Sequence, residues 1–359
     1  MRILLLAPYP LGKVASQRFR FEQYLDPLAE RGIDIHVHPL LDEPTARVLY
    51  QRGHVPAKSL AVVRGAVKRL TDLISAQRYQ AVFIHREAFP LGYPIVERLL
   101  SVLRIPYIFD FDDAIYLANA SDANRWVAPL KYPAKTQTTV RHASLVLAGN
   151  RHLAGWAQSF NDEVRILPTT IDTELYLPRE PQRREKVCVG WSGSLTTIEH
   201  LRPLGGVLAN LQRSHGIRIK VIGDPSFSLP GAKVEALAWQ ESSELTELAD
   251  IDIGIMPLPD DDWARGKCGF KALQYMGLGI PAVISPVGVN VEIARDGAAR
   301  LASGEQQWRE VLTELIEDPE CRLAQGRRGR RRVEDEYSVR AHVEGYVDAI
   351  RTVVGFERA

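Results

Sequence analysis

Short continuous apolar runs alternate along this chain with longer stretches in which apolar residues recur every three or four positions. The first kind reads as strands buried on both faces of a parallel sheet, the second as amphipathic helices laid over it. Residues 3–7 make such a strand and 33–37 the next. Between them residues 17–32 read as one helix, with Phe21, Leu25 and Leu28 on one face and Gly32 as its stop. The alternation goes on through helix 62–75, strand 81–84, helix 94–102, strand 106–109, helix 132–141, strand 144–148, a helix from Asn150 to Phe160 and strand 164–167. Residues 177–186, rich in proline and charge, then read as a linker.

After the linker the plan repeats. Strand 187–190 leads through loop 191–197 into a helix ending at Leu211; strand 217–222, helix 245–250 and strand 251–256 follow. A helix opening at Phe270 is stopped by Gly279 and Pro281, residues 282–284 form a strand, and Gly288-Val-Asn290 caps a short helix to Ala294. From Gln306 the tail is helical, with breaks expected near Pro319 and Gly326. Two successive βα halves predict an α/β chain of two Rossmann-like domains, with strand ends facing a cleft between them.

Length and composition narrow this. A chain of 359 residues, 45% apolar and 25% charged, holds two ordinary globular domains. A net charge of +1 gives no global field to draw in nucleic acid. Cys188, Cys268 and Cys321 stand far apart, which argues against a disulfide framework and a zinc cluster and fits a reducing cytosol. The apolar opening carries one positive charge and runs at once into Pro8-Tyr9-Pro10, too short for a signal peptide, and no spanning segment follows. The expectation is a soluble cytoplasmic chain. Residues 327–332 form the one basic run, a candidate peripheral contact with the inner membrane face. Glu334-Asp-Glu336 follows directly, so a salt-bridged, solvated helix face accounts for the run better.

The candidate chemistry collects at strand ends. His85-Arg86-Glu87 and Asp110-Phe-Asp112-Asp113 both lie where open α/β sheets bind ligands. Three crowded carboxylates require a raised pKa or a positive neighbour. With no histidine beside them, contact with a polyhydroxylated ligand or with arginines fits better than a metal. His85 reads as a structural histidine before a catalytic one. Arg18 and Arg20 open a helix against its dipole unless they serve an anion; plain solvation fits Arg20 better than Arg18.

In the second half, Arg265-Gly-Lys-Cys-Gly-Phe-Lys271 enters a helix N-terminus. Its unpaired N–H groups suit a phosphate; Gly269 permits close approach, and Lys267 and Lys271 bring ammonium groups. A helix cap with two solvated lysines would explain this loop alone equally well. Gly193, Ser194 and Thr196 in the loop after the first strand of this half make a second phosphate-friendly turn, or else an N-cap ahead of Glu199. Gly223-Asp224 ends the next strand. The first strand lacks the G-x-G-x-x-G of a dinucleotide site, which argues against a nicotinamide-dependent oxidoreductase.

These pieces together resemble the GT-B glycosyltransferases of the large retaining family 4, the glycosyl transferases group 1. The resemblance spans nearly the whole chain and is strongest over residues 147–172 and 190–292. It rests on Pro168-Thr-Thr-Ile-Asp172, on Ala249-Asp-Ile-Asp-Ile-Gly-Ile-Met-Pro-Leu-Pro259, on the helix from Phe270, and on Gly288-Val-Asn290 with Glu292. It implies an N-terminal acceptor domain (1–178), a C-terminal nucleotide-sugar domain (187–335) and a last helix (336–359) that crosses back. The family's paired glutamates around the donor helix fall here on Gly266 and Gln274. Gln274 can still hydrogen-bond a ribose hydroxyl, while Lys267 and Asp262 lie near enough in sequence to cover part of what Gly266 lacks.

The resemblance implies a metal-independent, retaining, hexosyltransferase-type enzyme that moves a sugar from a nucleotide-diphosphate-sugar co-substrate to an acceptor hydroxyl, with no other cofactor. Glycan, lipid-linked or small-molecule acceptors are all open. Asp112, Asp113, Lys267 and Lys271 would serve the reaction. Gly193, Ser194, Thr196, Gly223, Asp224, Gly269, Phe270 and Gln274 would hold the donor, and Arg18, His85 and Arg86 the acceptor. The missing glutamates leave a second reading, a non-catalytic partner or nucleotide-binding subunit that keeps the fold.

Overall fold

The computed structural model describes residues 1–49, 55–117, 132, 134–178 and 185–355. The chain forms two compact units, Met1–Thr169 with His342–Ala359, and Thr170–Ala341. Residues 170–178 therefore fall in the second unit. Of the linker expected at 177–186, residues 179–184 lie outside the described part, as do Pro133 and the last four residues of the expected C-terminal helix.

The first unit is built on β1 (Arg2–Ala7), β2 (Asp34–Pro39), β3 (Ala81–His85), β4 (Tyr107–Phe111), β5 (Leu145–Ala148) and β6 (Val164–Ile166). They lie in the order β2-β1-β3-β4-β5-β6, all parallel. β3, β4 and β5 are buried along their whole length, which is why they read as unbroken apolar runs. Helices α1 (Ala15–Arg20), α2 (Leu25–Ala29), α3 (Glu43–Leu49), α4 (Val55–Ala76), α5 (Ile95–Val102), α6 (Lys135–His142) and α7 (Arg151–Gln158) connect them.

Two differences from the sequence reading matter. The single helix expected at 17–32 is broken: Phe21 leaves helical geometry (φ −136°), a 3-10 turn spans Glu22–Tyr24, and α2 starts afresh. Phe21 and Leu28 are buried as expected, but Tyr24 is the buried residue between them and Leu25 is half-buried, so a helical spacing survives across the break on a shifted face. The strand expected to end at Phe109 runs two residues further. Asp110 is thus a strand residue inside the sheet, not part of a turn beyond it.

The second unit carries β7 (Cys188–Ser192), β8 (Arg218–Gly223), β9 (Val234–Ala238), β10 (Ile253–Met256), β11 (Ala282–Ile284) and β12 (Arg300–Leu301), in the order β12-β11-β10-β7-β8-β9 and all parallel. Its helices are α8 (Gly205–His215, after a 3-10 segment Ile198–Leu204), α9 (Glu244–Ala249), α10 (Asp262–Arg265), α11 (Phe270–Gly277), α12 (Asn290–Ile293), α13 (Gly304–Glu317) and α14 (Pro319–Glu336). Val189, Trp191, Ile219, Ile253 and Val283 from the sheet meet Leu201, Leu208 and Leu312 from the helices in one core cluster. α15 (Val339–Gly355) belongs to the first unit from His342 onward, where the buried Tyr346 donates its hydroxyl to the Arg20 carbonyl at 2.6 Å.

The helical break at Pro319 is present, with Asp318 as cap accepting from the Glu320 and Cys321 amides at 2.9 Å. The break expected at Gly326 is absent. Gly326 lies inside α14 because a β-carbon there would stand 2.0 Å from the Gly279 carbonyl oxygen; glycine serves close packing, not a stop. The basic run is largely spent inside the unit. Arg330 donates to the Thr173 carbonyl (2.9 Å) and to Glu334 (2.7 Å), and Arg332 to the Glu292 carbonyl (3.0 Å) and to Glu336 (2.6 Å).

Candidate functional site

Each sheet reverses its direction of winding once, between β1 and β3 in the first unit and between β7 and β10 in the second. At such a point the loops leaving the two strands turn to opposite faces and open a crevice at the carboxyl edge. Most of the residues singled out from sequence collect at these two places.

In the first unit, α1 brings Ser16 and Arg20 to the ends of β3 and β4. Arg20 and Asp110 are both fully buried and form an ion pair, with a second contact from Nε to Oδ2 at 3.3 Å. His85 is also fully buried; its Nδ1 lies 2.8 Å from Asp110 Oδ2 and its Nε2 2.9 Å from Ser16 Oγ. Ser16 in turn donates to Asp112 Oδ1 at 2.8 Å. Arg86 donates through Nε to the same oxygen at 2.8 Å and through Nη2 to Asp113. Arg86 holds φ at +61°, a left-handed conformation a non-glycine residue adopts at a cost, and its amide donates to the Asp110 carbonyl at 2.7 Å.

Three carboxylates are therefore tied to two arginines and a histidine. Burial works against ionisation of Asp110, but Arg20 and His85 outweigh it and hold its pKa below the usual value. The same contest leaves Asp112 far below the usual carboxylate range, with Arg86, His85, Arg20 and the Ser16 hydroxyl on the winning side. Burial likewise disfavours the Arg86 cation, yet Asp112 and Asp113 raise its pKa further above the ordinary arginine value.

The expectation that Arg20 is solvated is overturned: the side chain compensates a buried carboxylate. Arg18 is half-buried, its guanidinium 5.1 Å from the Phe19 ring centroid. His85 presents nothing to solvent and reaches the crevice through Ser16. Ser16 was missed in the sequence, where it reads as the end of a loop.

In the second unit, the loop after β7 and the helix after β10 meet. A β-carbon on Gly193 would stand 2.6 Å from Lys271 Cε and from the Trp191 ring, so the lysine stem lies directly over the glycine backbone. The Lys271 ammonium sits 5.5 Å from the Trp191 ring centroid. Gly223 completes the contact, since a β-carbon there would come 2.3 Å from the Gly193 carbonyl oxygen. Ser194 Oγ lies 2.9 Å from Thr196 Oγ1 and 3.2 Å from Thr197 Oγ1, all in the exposed part of the loop. Thr197 makes no side-chain cap to the following 3-10 segment, so the loop hydroxyls are not N-capping groups.

Lys267 rests 5.6 Å from the Trp263 ring centroid. Both lysines act on His200, whose pKa is lowered first by burial and then by these two charges. Gly269 caps α11 in the left-handed conformation (φ +68°), and a β-carbon would overlap Ile293 at 2.1 Å. Phe270 is half-buried at the first position of α11. The result is a glycine-floored, cationic turn at a helix N-terminus, an arrangement suited to phosphate.

The remaining residues lie differently. Asp224 is held in a turn by the Ser226 amide (2.8 Å) and hydroxyl (2.7 Å), which lower its pKa. Asp262 is exposed and 3.5 Å from Arg265, while Asp261 caps α10. Gln274 is buried and donates to Tyr176 Oη at 2.9 Å and Glu244 Oε1 at 3.2 Å. Glu244 also accepts from Trp239 Nε1 at 3.0 Å. A buried carboxylate, that of Glu244, thus stands next to Gln274. Nothing in the sequence marks Glu244 or His200, because both reach the site from other elements.

No protein-family model matches the sequence, and no curated protein does. Solved structures do match. The chain is similar over its full length to sucrose-phosphate synthase from Thermosynechococcus elongatus, with 14% identity, 100% of both chains covered and a TM-score of 0.70. It is similar to the catalytic domain of starch synthase IV from Arabidopsis thaliana, solved with ADP and acarbose, with 11% identity, 99% of both chains and a TM-score of 0.69. The HepE protein of Anabaena, solved with UDP, shares 14% identity over 98% of this chain and 100% of its own, with a TM-score of 0.60. These are GT-B glycosyltransferases, and the chain has their fold.

Proposed function

We propose that this protein is a glycosyltransferase that moves a sugar from a nucleotide-diphosphate-sugar to an acceptor hydroxyl, with retained anomeric configuration and without a metal ion. The observation that carries this reading is the turn in which Lys271 lies over Gly193 at the winding reversal of the second sheet, with Lys267 and His200 beside it. Loss of a nucleoside diphosphate builds negative charge on the leaving oxygen. Preorganised ammonium groups and helix N–H dipoles stabilise that charge without rearranging at the moment of reaction. Lys271, Lys267, Ser194, Thr196 and the N–H groups after Gly269 supply this set, and the missing side chains at Gly193 and Gly223 let Lys271 and the Gly193 carbonyl pack where a β-carbon would block them.

In the first unit the reading assigns the acceptor to the crevice lined by Ser16, Arg86, Asp112 and Asp113. Asp112 and Asp113 accept from acceptor hydroxyls, Arg86 fixes their orientation, and Arg20, Asp110 and His85 hold the floor rigid. Arg18 stands at the same helix. The buried Glu244, Gln274 and Tyr176 cluster is assigned to the ribose side of the donor. Nucleotide-sugar synthesis of glycans or glycoconjugates is the setting that suits these assignments.

The test is release of nucleoside diphosphate from a panel of nucleotide-sugars, followed by a coupled assay. Turnover with one donor, lost at least roughly a hundredfold in Lys271→Ala, supports the assignment, that being the size of effect expected when a charge-stabilising donor is removed. A second reading, a non-catalytic GT-B partner, is favoured by Gly266, which is buried and has no side chain where the family places a carboxylate. Nucleotide binding without turnover of any donor would select it.

A further inference from the structure

α4 is amphipathic in an unusual sense. Its inward face is Gly65, Arg69, Asp72 and Ala76, buried against the first unit, where a β-carbon on Gly65 would reach Leu40 at 2.9 Å. Arg69 and Asp72 satisfy each other there at 2.7 Å. Its outward face is Leu60, Val63, Val67, Leu70 and Ile74, at intervals of three and four that make one continuous stripe. Val67 is 56% exposed and Ile74 74% exposed, values that place aliphatic side chains in water on purpose rather than at a crowded edge. α5 packs beside α4 and adds Ile95 and Val102, the latter 72% exposed.

The charges on this face are one-sided. Asp72 and Glu97 are the acidic residues of α4, α5 and α6, and both are buried. The cations Arg64, Arg98, Arg104 and Arg141 are exposed, and Lys68 is half-buried. Asp42, ahead of α3, acts on Arg64 and Lys68, and the buried Asp72 acts on Lys68 as well. In a chain whose net charge is +1, this is a strong local asymmetry.

We propose that the outward face of α4 and α5 docks on an anionic lipid bilayer, with the aliphatic stripe entering the headgroup boundary and the arginines meeting lipid phosphates. Aliphatic groups flanked by Arg and Lys along one surface helix are the physical requirement for lying on such a membrane. A second copy of the chain fits poorly, because a two-fold contact through this face would set the arginines against themselves. No helix among the described residues is long and apolar enough to cross a bilayer. It also moves the basic contact from residues 327–332, whose Arg330 and Arg332 are engaged within their own unit, to a different surface. The proposal stands independently of sugar transfer.

The experiment is co-sedimentation of the full chain with phosphatidylcholine vesicles, with and without phosphatidylglycerol. Wild type is compared with Val67→Ser/Ile74→Ser, with Arg98→Glu/Arg104→Glu and with Arg327→Ser/Arg331→Ser. All the changed positions are exposed, and unchanged melting temperatures confirm that the variants fold. Binding to the anionic vesicles only is expected, falling at least roughly tenfold in the arginine variant, at about fivefold per basic residue. The serine variant of α4 should also lose binding, and the 327/331 variant should keep it. Absence of pelleting, equal pelleting with both vesicles, or full binding by the α4 and α5 variants would overturn the proposal. So would a dimer, seen by sedimentation velocity without lipid, that the α4 variant dissociates.

Discussion

Replacing Asp110 by asparagine removes one charge from the most deeply buried ionic cluster of the first unit while keeping its shape. The carboxylate accepts from Arg20 through both oxygens and from His85 Nδ1 at 2.8 Å, and neither Asp110 nor Arg20 has any exposed surface. An asparagine at this position would leave the Arg20 cation buried without its counter-charge. Breaking one side of such a pair destabilises by about 3–5 kcal/mol, against roughly 0–1 kcal/mol for a surface pair. For a unit of this size that corresponds to a fall in Tm of about 6–20 °C.

The pH dependence separates this cause from lost packing. The depressed pKa of Asp110 means that its contribution is present above the unfolded value of about 3.9 and is lost as pH falls through the folded value. The gap between wild type and Asp110→Asn is therefore widest near neutrality and closes below about pH 4. Scanning calorimetry of both proteins across that range measures it. A loss under about 1 kcal/mol at neutral pH, or a gap unchanged at about pH 3, would refute the buried-pair account.

Three further outcomes follow from the second unit. Gly269→Ala combines a left-handed backbone with overlap of Ile293, so a loss of about 2 kcal/mol or more is expected in denaturant titration; a neutral result would mean that the turn is not constrained. His200 should gain a proton more readily when a diphosphate neutralises Lys267 and Lys271, which NMR titration with and without nucleotide reads as a rise in its pKa; an unmoved or lowered value would place the phosphates elsewhere. In the free protein its depressed pKa makes its contribution to stability full above about pH 6.5 and lost as pH falls through the folded value, a trend that melts at stepped pH, with His200→Gln as reference, should reproduce.

The sheets were legible because parallel strands buried on both faces leave continuous apolar runs, as at residues 3–7 and 282–284. β9 escaped because Val-Glu-Ala-Leu-Ala is a half-buried edge strand with no such run, and β12 because it is two residues long. The phosphate-suited turn was visible in part, since Gly269, Lys267 and Lys271 are neighbours in sequence. Its other half was visible as a loop, but only tertiary packing sets Lys271 on Gly193. Asp110 looked like a strand terminator because a carboxylate inside a buried strand is costly alone. The compensating Arg20 lies on another element, and the same separation hid the role of Ser16 and the carboxylate of Glu244.

Ligand-dependent melting tests most directly whether the second unit holds a nucleoside diphosphate at the turn formed by Gly193, Lys267 and Lys271. Purified wild type, Lys267→Ala and Lys271→Ala would be melted with UDP, GDP, dTDP and ADP in turn. A ligand at a hundred times its Kd stabilises the fold by about 2.7 kcal/mol. The account predicts a clear upward shift for one nucleotide with wild type, reduced in Lys267→Ala and abolished in Lys271→Ala. A shift of equal size in wild type and both variants, or no shift with any of the four, would contradict it.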